Sequence, residues 1–147
     1  MLRNILVHSH SGLRWILILL FLTSLMLLYI TAFGKKKGAT AARKFALITL
    51  IVTHIQLIIG LVLYFISPLV VFSSSSMKNP VYRFYLVEHI SLMLVAIVLV
   101  TIGYSTAKKI EDQVVSARKM FYFYLVGFLL ILISIPWPFR NLNAGWF

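Results

Sequence analysis

The sequence predicts an all-α integral membrane protein, a single bundle of four transmembrane helices with both termini on the extracytoplasmic side. Three observations predict it. Hydrophobic residues make up 61% of the chain and charged residues 12%. The mean hydropathy is +0.98, far above that of a soluble domain. Four apolar runs take up most of the 147 residues, and the connections between them are too short for a separate soluble domain.

The first helix is expected over 9–33. The apolar run from Leu13 is too long for the core of a removable signal, and Asn4 or Ser9 is a candidate cap. The run ends before Gly34-Lys35-Lys36-Lys37-Gly38. Counting by helical turns from His10, one stripe holds Arg14, Leu17, Phe21, Ser24, Leu28 and Thr31, so the polar residues of a greasy helix share an inward face.

The second helix, 43–67, stops at Ser67-Pro68, because proline cannot continue the ladder. His54 stands near the middle of this span, where an ionisable side chain requires a partner, a cavity or a cofactor. Thr49, Thr53, Gln56, Gly60 and Tyr64 form a second stripe about a third of a turn from His54, suited to close helix contact through Gly60. The loop from Pro68 to Asn79, with its serine run, reads as a flexible connection or an interfacial lid.

Asn79-Pro80 opens the third helix, 80–107, with Asn as cap and Pro in the first turn. His89 shares its face with Tyr82, Tyr85, Ala96 and Gly103. The small residues leave either a shallow channel for a flat macrocycle or a site of close helix contact. The polar segment IEDQVVSARK reads as a connection, and the fourth helix, 118–135, ends at Pro136-Trp137-Pro138-Phe139-Arg140. Trp137, Arg140 and the tail NLNAGWF suit a membrane–water boundary.

The net charge of +11 sits mainly at the ends of apolar runs, which orients a membrane protein and argues against nucleic-acid binding. Nine Lys and Arg residues (Lys35, Lys36, Lys37, Arg43, Lys44, Lys108, Lys109, Arg118, Lys119) fall in the first and third connections, against five on the opposite side. The positive-inside rule therefore puts those connections in the cytoplasm and both termini outside it. His10, Arg14, Glu88, His89, Trp137 and Arg140 then share the outer half.

Cysteine is absent, which excludes disulfides, thiolate metal sites, iron–sulfur clusters and covalently attached c-type haem. Any metal is left to His, Met, Glu, Asp or Tyr. Two imidazoles from neighbouring helices can hold a haem iron, with ligand nitrogens about 4 Å apart across it. His54 with His89 is the first pairing and His10 with His89 the second. The first carries a depth mismatch of about 6 Å at about 1.5 Å of rise per residue. Arg14, one turn below His10, requires an anion, either a haem propionate or Glu88, and Arg83 or Arg140 is placed to take a second propionate.

His8-Ser9-His10-Ser11-Gly12-Leu13-Arg14-Trp15, the segment Thr53 to Tyr64, the pair Glu88-His89 and the ending Ile135-Pro136-Trp137-Pro138-Phe139-Arg140 resemble a family of small four-helix bacterial membrane proteins labelled cytochrome b-like. The resemblance covers nearly the whole chain. It implies haem b, a place in the bacterial inner membrane, and an electron carrier or subunit rather than a stand-alone enzyme. A quinone in the bilayer or other membrane subunits are the implied redox partners. Two other classes compete. One is a Zn or Cu binding or transport protein in which His10, His54, His89 and Glu88 converge; the other is an accessory subunit whose histidines are satisfied core residues.

Overall fold

The computed structural model describes residues 1–34 and 38–146. Lys35, Lys36 and Lys37 of the first basic connection lie outside the described residues, as does Phe147. Four helices are long and apolar enough to cross a membrane: α1 Leu2–Phe33, α2 Ala39–Ile66, α3 Pro80–Ala107 and α4 Gln113–Ser134. The shortest, with 22 residues, reaches about 33 Å at about 1.5 Å per residue, enough for a hydrocarbon core of about 30 Å. No strand occurs among the described residues.

Three starts differ from the expected ones. α2 begins at Ala39, right after Gly38, rather than at 43. α1 begins at Leu2 rather than near 9, with Met1 in the cap position and no side-chain cap, so Asn4 and Ser9 lie within the helix. The stretch MLRNILVHS contains no Pro or Gly to stop the helix extending backwards. α4 begins at Gln113 rather than near 118. Asp112 accepts from the amides of Val114 (2.8 Å) and Val115 (3.0 Å), and Ser116, buried, donates to the Ala107 carbonyl at 2.8 Å. The polar segment was the helix's first turn, held by a cap and a buried contact. Asn79 caps α3 as expected, accepting from Val81 and Tyr82, and α2 ends at Ile66 before Ser67-Pro68.

α1 packs along α2 and α4, and α3 packs along α4, whereas α2 touches α3 and α4 only sparsely. The order around the bundle is therefore α2, α1, α4, α3, with an open seam between α2 and α3. The predicted α1 stripe faces inward: Arg14, Leu17, Phe21, Ser24, Leu28 and Thr31 are all buried. Phe21 stacks on Phe128 of α4 (centroids 5.2 Å apart) and lies 5.9 Å from Tyr124, whose hydroxyl donates to the Ala46 carbonyl of α2 at 2.7 Å. Ser24 and Thr49 share a 2.8 Å hydrogen bond between α1 and α2.

Of the two readings of Ala96 and Gly103, a shallow channel or close helix contact, the structure shows the contact, with α4 filling the space beside them. A Cβ on Gly103 would collide with Phe123, and one on Gly127 would lie 2.6 Å from Val100 Cγ2 and 3.2 Å from the Ala96 carbonyl. These small residues serve close packing of α3 on α4 and leave no slot for a macrocycle.

Three local features have no counterpart in the sequence reading. The serine run forms a 3₁₀ turn, Ser74–Lys78, tied down by buried Ser76 donating to the Val71 carbonyl at 2.7 Å. Inside α3, Phe84–Glu88 is wound as a π-turn. After the short turn Pro138–Arg140, Asn141 (φ 54°) and Asn143 (φ 55°) adopt the left-handed conformation that Asn tolerates better than most residues, bending the tail.

Candidate functional site

The open seam widens into a cavity of about 380 Å³. Its walls come from α1 (His10, Arg14, Leu17), α2 (Thr53, Gln56, Gly60, Tyr64), α3 (Tyr85, His89, Met93), the end of α4 (Ile131, Ile135) and tail residues Asn143, Ala144 and Gly145. Its size falls within the range of about 300–1,000 Å³ usual for small-ligand and cofactor pockets.

The centre of the site is a pair of histidines. The rings of His10 and His89 lie 6.5 Å apart between centroids, with planes at 74°. His89 donates from Nδ1 to the Ser134 carbonyl at 2.8 Å, which fixes the tautomer and leaves Nε2 as the ring's acceptor nitrogen. Ser134 also donates to the His89 carbonyl at 3.2 Å, clamping the first turn after the π segment onto α4. Phe84 (5.7 Å) and Tyr85 (6.4 Å) pack against the His89 ring. His10 Nδ1 is buried and has no hydrogen-bond partner among the described residues. Its ring sits over Gly60, where an added Cβ would come within 3.0 Å of Cε1, and Gln56 donates to the His10 carbonyl at 2.8 Å. The stripe on α2 therefore faces α1 at the level of His10, and Gly60 makes the room that the imidazole occupies.

Arg14, one turn further along α1, is 8% exposed. One terminal nitrogen donates to the Trp146 carbonyl at 2.7 Å, and that carbonyl also accepts from Trp15 Nε1 at 3.1 Å. Arg14 Nε is buried without a partner among the described residues, as is Gln56 Oε1. Tyr85 donates from its hydroxyl to the Leu142 carbonyl at 2.9 Å, so the tail is fastened across the cavity from both α1 and α3.

His54 is elsewhere. Its Nδ1 bonds the Leu50 carbonyl one turn back at 2.8 Å, its Nε2 is 3.5 Å from the Thr101 hydroxyl of α3, and it is not part of the cavity wall. The structure does not bring His54 and His89 together: His54 does face α3, but at Thr101, twelve residues along the helix from His89, and the imidazole that His89 meets is that of His10. The Arg14–Glu88 ion pair is absent as well: Glu88 is bonded to Arg83 at 2.7 Å. A π-turn winds about four and a half residues per revolution, so residues five apart face each other there as they do not in an α-helix. Arg83 is committed to that pair. Arg140 is committed too, donating to the Ile133 (2.8 Å) and Ile135 (3.2 Å) carbonyls with its guanidinium 4.9 Å from the Phe84 ring centre. No group of three or more His, Asp or Glu among the described residues is placed to hold a metal ion, so His10, His54, His89 and Glu88 do not converge.

A second hollow, about 630 Å³, opens at the other end of the helices, lined by Arg43, Lys44, Lys108, Lys109, Glu111 and Tyr104. It contains no histidine. Arg43 closes part of it by donating to the Lys108 carbonyl.

An all-helical bundle with an imidazole pair in an apolar cavity defines the class of protein that geometry supports. No protein-family model, no curated protein and no solved structure matches this chain.

Proposed function

We propose that this chain is a membrane-bound b-type cytochrome, with haem b held between His10 of α1 and His89 of α3, that passes electrons to or from a quinone or a neighbouring subunit. The observation that carries the reading is the meeting of these two rings in one cavity, His10 with its Nδ1 unpartnered among the described residues and His89 with its proton held on Nδ1. Two metal–imidazole bonds of about 2 Å set the ligand nitrogens about 4 Å apart and the ring centres about 6 Å apart, close to the 6.5 Å here. That spacing and the neutral-imidazole donor set fit the group.

Held by His10 and His89, haem would supply a low-spin, one-electron redox centre. The chain's own residues account for the rest. The Ser134 carbonyl holds the proton of His89 on Nδ1, so Nε2 stays available as a ligand. Gly60 admits the His10 ring, and Gln56 ties the His10 backbone to α2. Leu17, Met93, Ile97 and Ile131 give the cavity apolar walls, the kind of surface against which a porphyrin face packs.

The same reading places the chain in the bacterial inner membrane with the basic connections in the cytoplasm and the cavity in the outer half.

The test is a reduced-minus-oxidised absorption spectrum of the purified full-length chain expressed with haem available. Soret and α bands are expected in the unaltered protein and in His54→Ala, and are expected to be lost in His10→Ala and in His89→Ala. A colourless protein, or bands that survive both of the last two substitutions, overturns the reading. A colourless protein with stoichiometric zinc or copper would replace it with the metal-protein alternative.

A further inference from the structure

The guanidinium of Arg14 is the least accounted-for charge in the molecule. It is 8% exposed, on a helix apolar enough to cross a membrane, and it lines the cavity. A buried charge of this kind needs a counter-charge. The chain has three acidic residues. Glu88 is held by Arg83, Asp112 caps α4, and Glu111 lines the hollow at the far end of the helices. Among the described residues the only acceptor Arg14 holds is the neutral carbonyl of Trp146, and its Nε, buried, has nothing. Phe147, next to Trp146, lies outside the described residues; among those described no carboxylate meets Arg14, and the remaining cavity wall is largely aliphatic and aromatic, which suits an anion carried on an apolar body.

We propose that Arg14 is the seat of a carboxylate carried by the cavity's occupant, and that this carboxylate competes with the Trp146 carbonyl for the guanidinium, so that filling the cavity unlatches the C-terminal segment 141–146. The proposal rests on the cofactor reading above in that the haem's carboxylates supply the anion; a fatty-acid carboxylate has the same chemistry. A charged acceptor forms a shorter and stronger bond to a guanidinium than a neutral carbonyl, which sets the direction of the exchange. The latch is otherwise held by the Trp15 donor to the same carbonyl and by Tyr85 on Leu142. The left-handed Asn141 and Asn143 flank Leu142, so the segment rejoins the bundle at that one buried residue.

The experiment titrates the full chain, freed of haem and held in lipid nanodiscs, with haem and with haem dimethyl ester, in the unaltered protein, Arg14→Lys and Arg14→Gln. Binding is read from the Soret band. The state of the tail is read from hydrogen exchange over 141–146. The acid is expected to bind roughly ten- to a hundredfold more tightly than the ester and alone to raise exchange of the tail. Arg14→Gln is expected to remove the preference and leave the tail exchanging fast without ligand, while Arg14→Lys keeps part of the preference. Should Arg14→Gln fail to fold, the acid-against-ester comparison in the unaltered chain decides by itself. Equal binding of acid and ester with an unchanged tail overturns the proposal and leaves the haem reading standing. If neither porphyrin binds, the haem reading falls, and palmitate against methyl palmitate, read by tail exchange, becomes the deciding pair: a response to the acid alone, lost in Arg14→Gln, upholds the carboxylate seat, and no response overturns it.

Discussion

The seam between α1 and α4 is closed by interlocked aromatic side chains, and the seam between α2 and α3 stands open around polar ones. At the first, Phe21, Tyr124 and Phe128 interlock with little or no exposure, and the one hydroxyl among them is satisfied by Ala46. At the second the helices barely touch, and the three buried side chains with an unpartnered polar atom among the described residues, His10, Arg14 and Gln56, all line its cavity. Buried polar atoms are almost always paired, so three orphans in one place set this seam apart from the closed one. One half of the bundle carries its rigidity, and that rigidity holds open the other half.

Substitutions in the closed half are therefore expected to change stability and those in the open half to change ligand binding. The largest stability loss is expected from Phe21→Ala, which removes a side chain of 0% exposure stacked between two helices. In a lipid bilayer the transfer contribution shrinks and the lost packing remains, so a cost of about 2–3 kcal/mol is expected, below the range seen in soluble cores. Unfolding in mixed detergent micelles measures it. A loss of less than about half a kilocalorie would mean the α1–α4 seam is not the rigid half. Gly127→Val comes next. Its Cβ would meet Val100 and the Ala96 carbonyl, and forcing α3 from α4 is expected to cost about 1–2 kcal/mol in the same assay. Because His89 is fastened to α4 through Ser134, this variant should also weaken the Soret band, whereas Phe21→Ala should leave the band in whatever fraction stays folded.

What was legible follows the reach of a helical repeat. The stripe from Arg14 to Thr31 and the stripe from Thr49 to Tyr64 were readable because residues three or four apart share a face, and the structure buries or bonds them as expected. The choice between His54 and His10 was not settled by periodicity, since it depends on the rotation and relative height of separate helices. A usable signal did exist. With α1 starting at Leu2, His10 lies about as far from its helix start as His89 does from Pro80, and the depth mismatch attached to His54 vanishes. It was hidden by starting α1 near residue 9. The π-turn at Phe84–Glu88, which pairs Arg83 with Glu88, leaves no mark in hydrophobic periodicity, and the folding back of the tail depends on left-handed Asn residues that tolerate that geometry without demanding it.

Gly60→Ala separates the two halves more sharply. The added methyl lies 3.0 Å from His10 Cε1, and the imidazole borders a cavity into which it can shift by a few tenths of an ångström. Stability is expected to change by less than about 1 kcal/mol, with Ala's better helix propensity offsetting part of the crowding. If the cytochrome proposal holds, displacing His10 is expected to shift the Soret maximum or lower haem affinity, as read in a haem titration. A spectrum and affinity identical to the unaltered protein's would show that His10 is not a ligand.

The smallest effect is expected from Ser24→Ala. Ser24 is fully buried and shares its hydroxyl with Thr49 across the α1–α2 interface. Thr49 keeps a second acceptor, the Leu20 carbonyl at 3.2 Å, so removing Ser24 Oγ leaves no donor stranded. Hydrogen bonds between transmembrane helices average about 0.6 kcal/mol, and with the Thr49 proton still satisfied the loss should not exceed that. The contact lies in the closed half, one turn below Phe21, and the haem spectrum should not move at all. A spectral change here, from a substitution that touches no wall of the cavity, would show that the α1–α2 interface transmits strain to His10 and that the two halves are mechanically one.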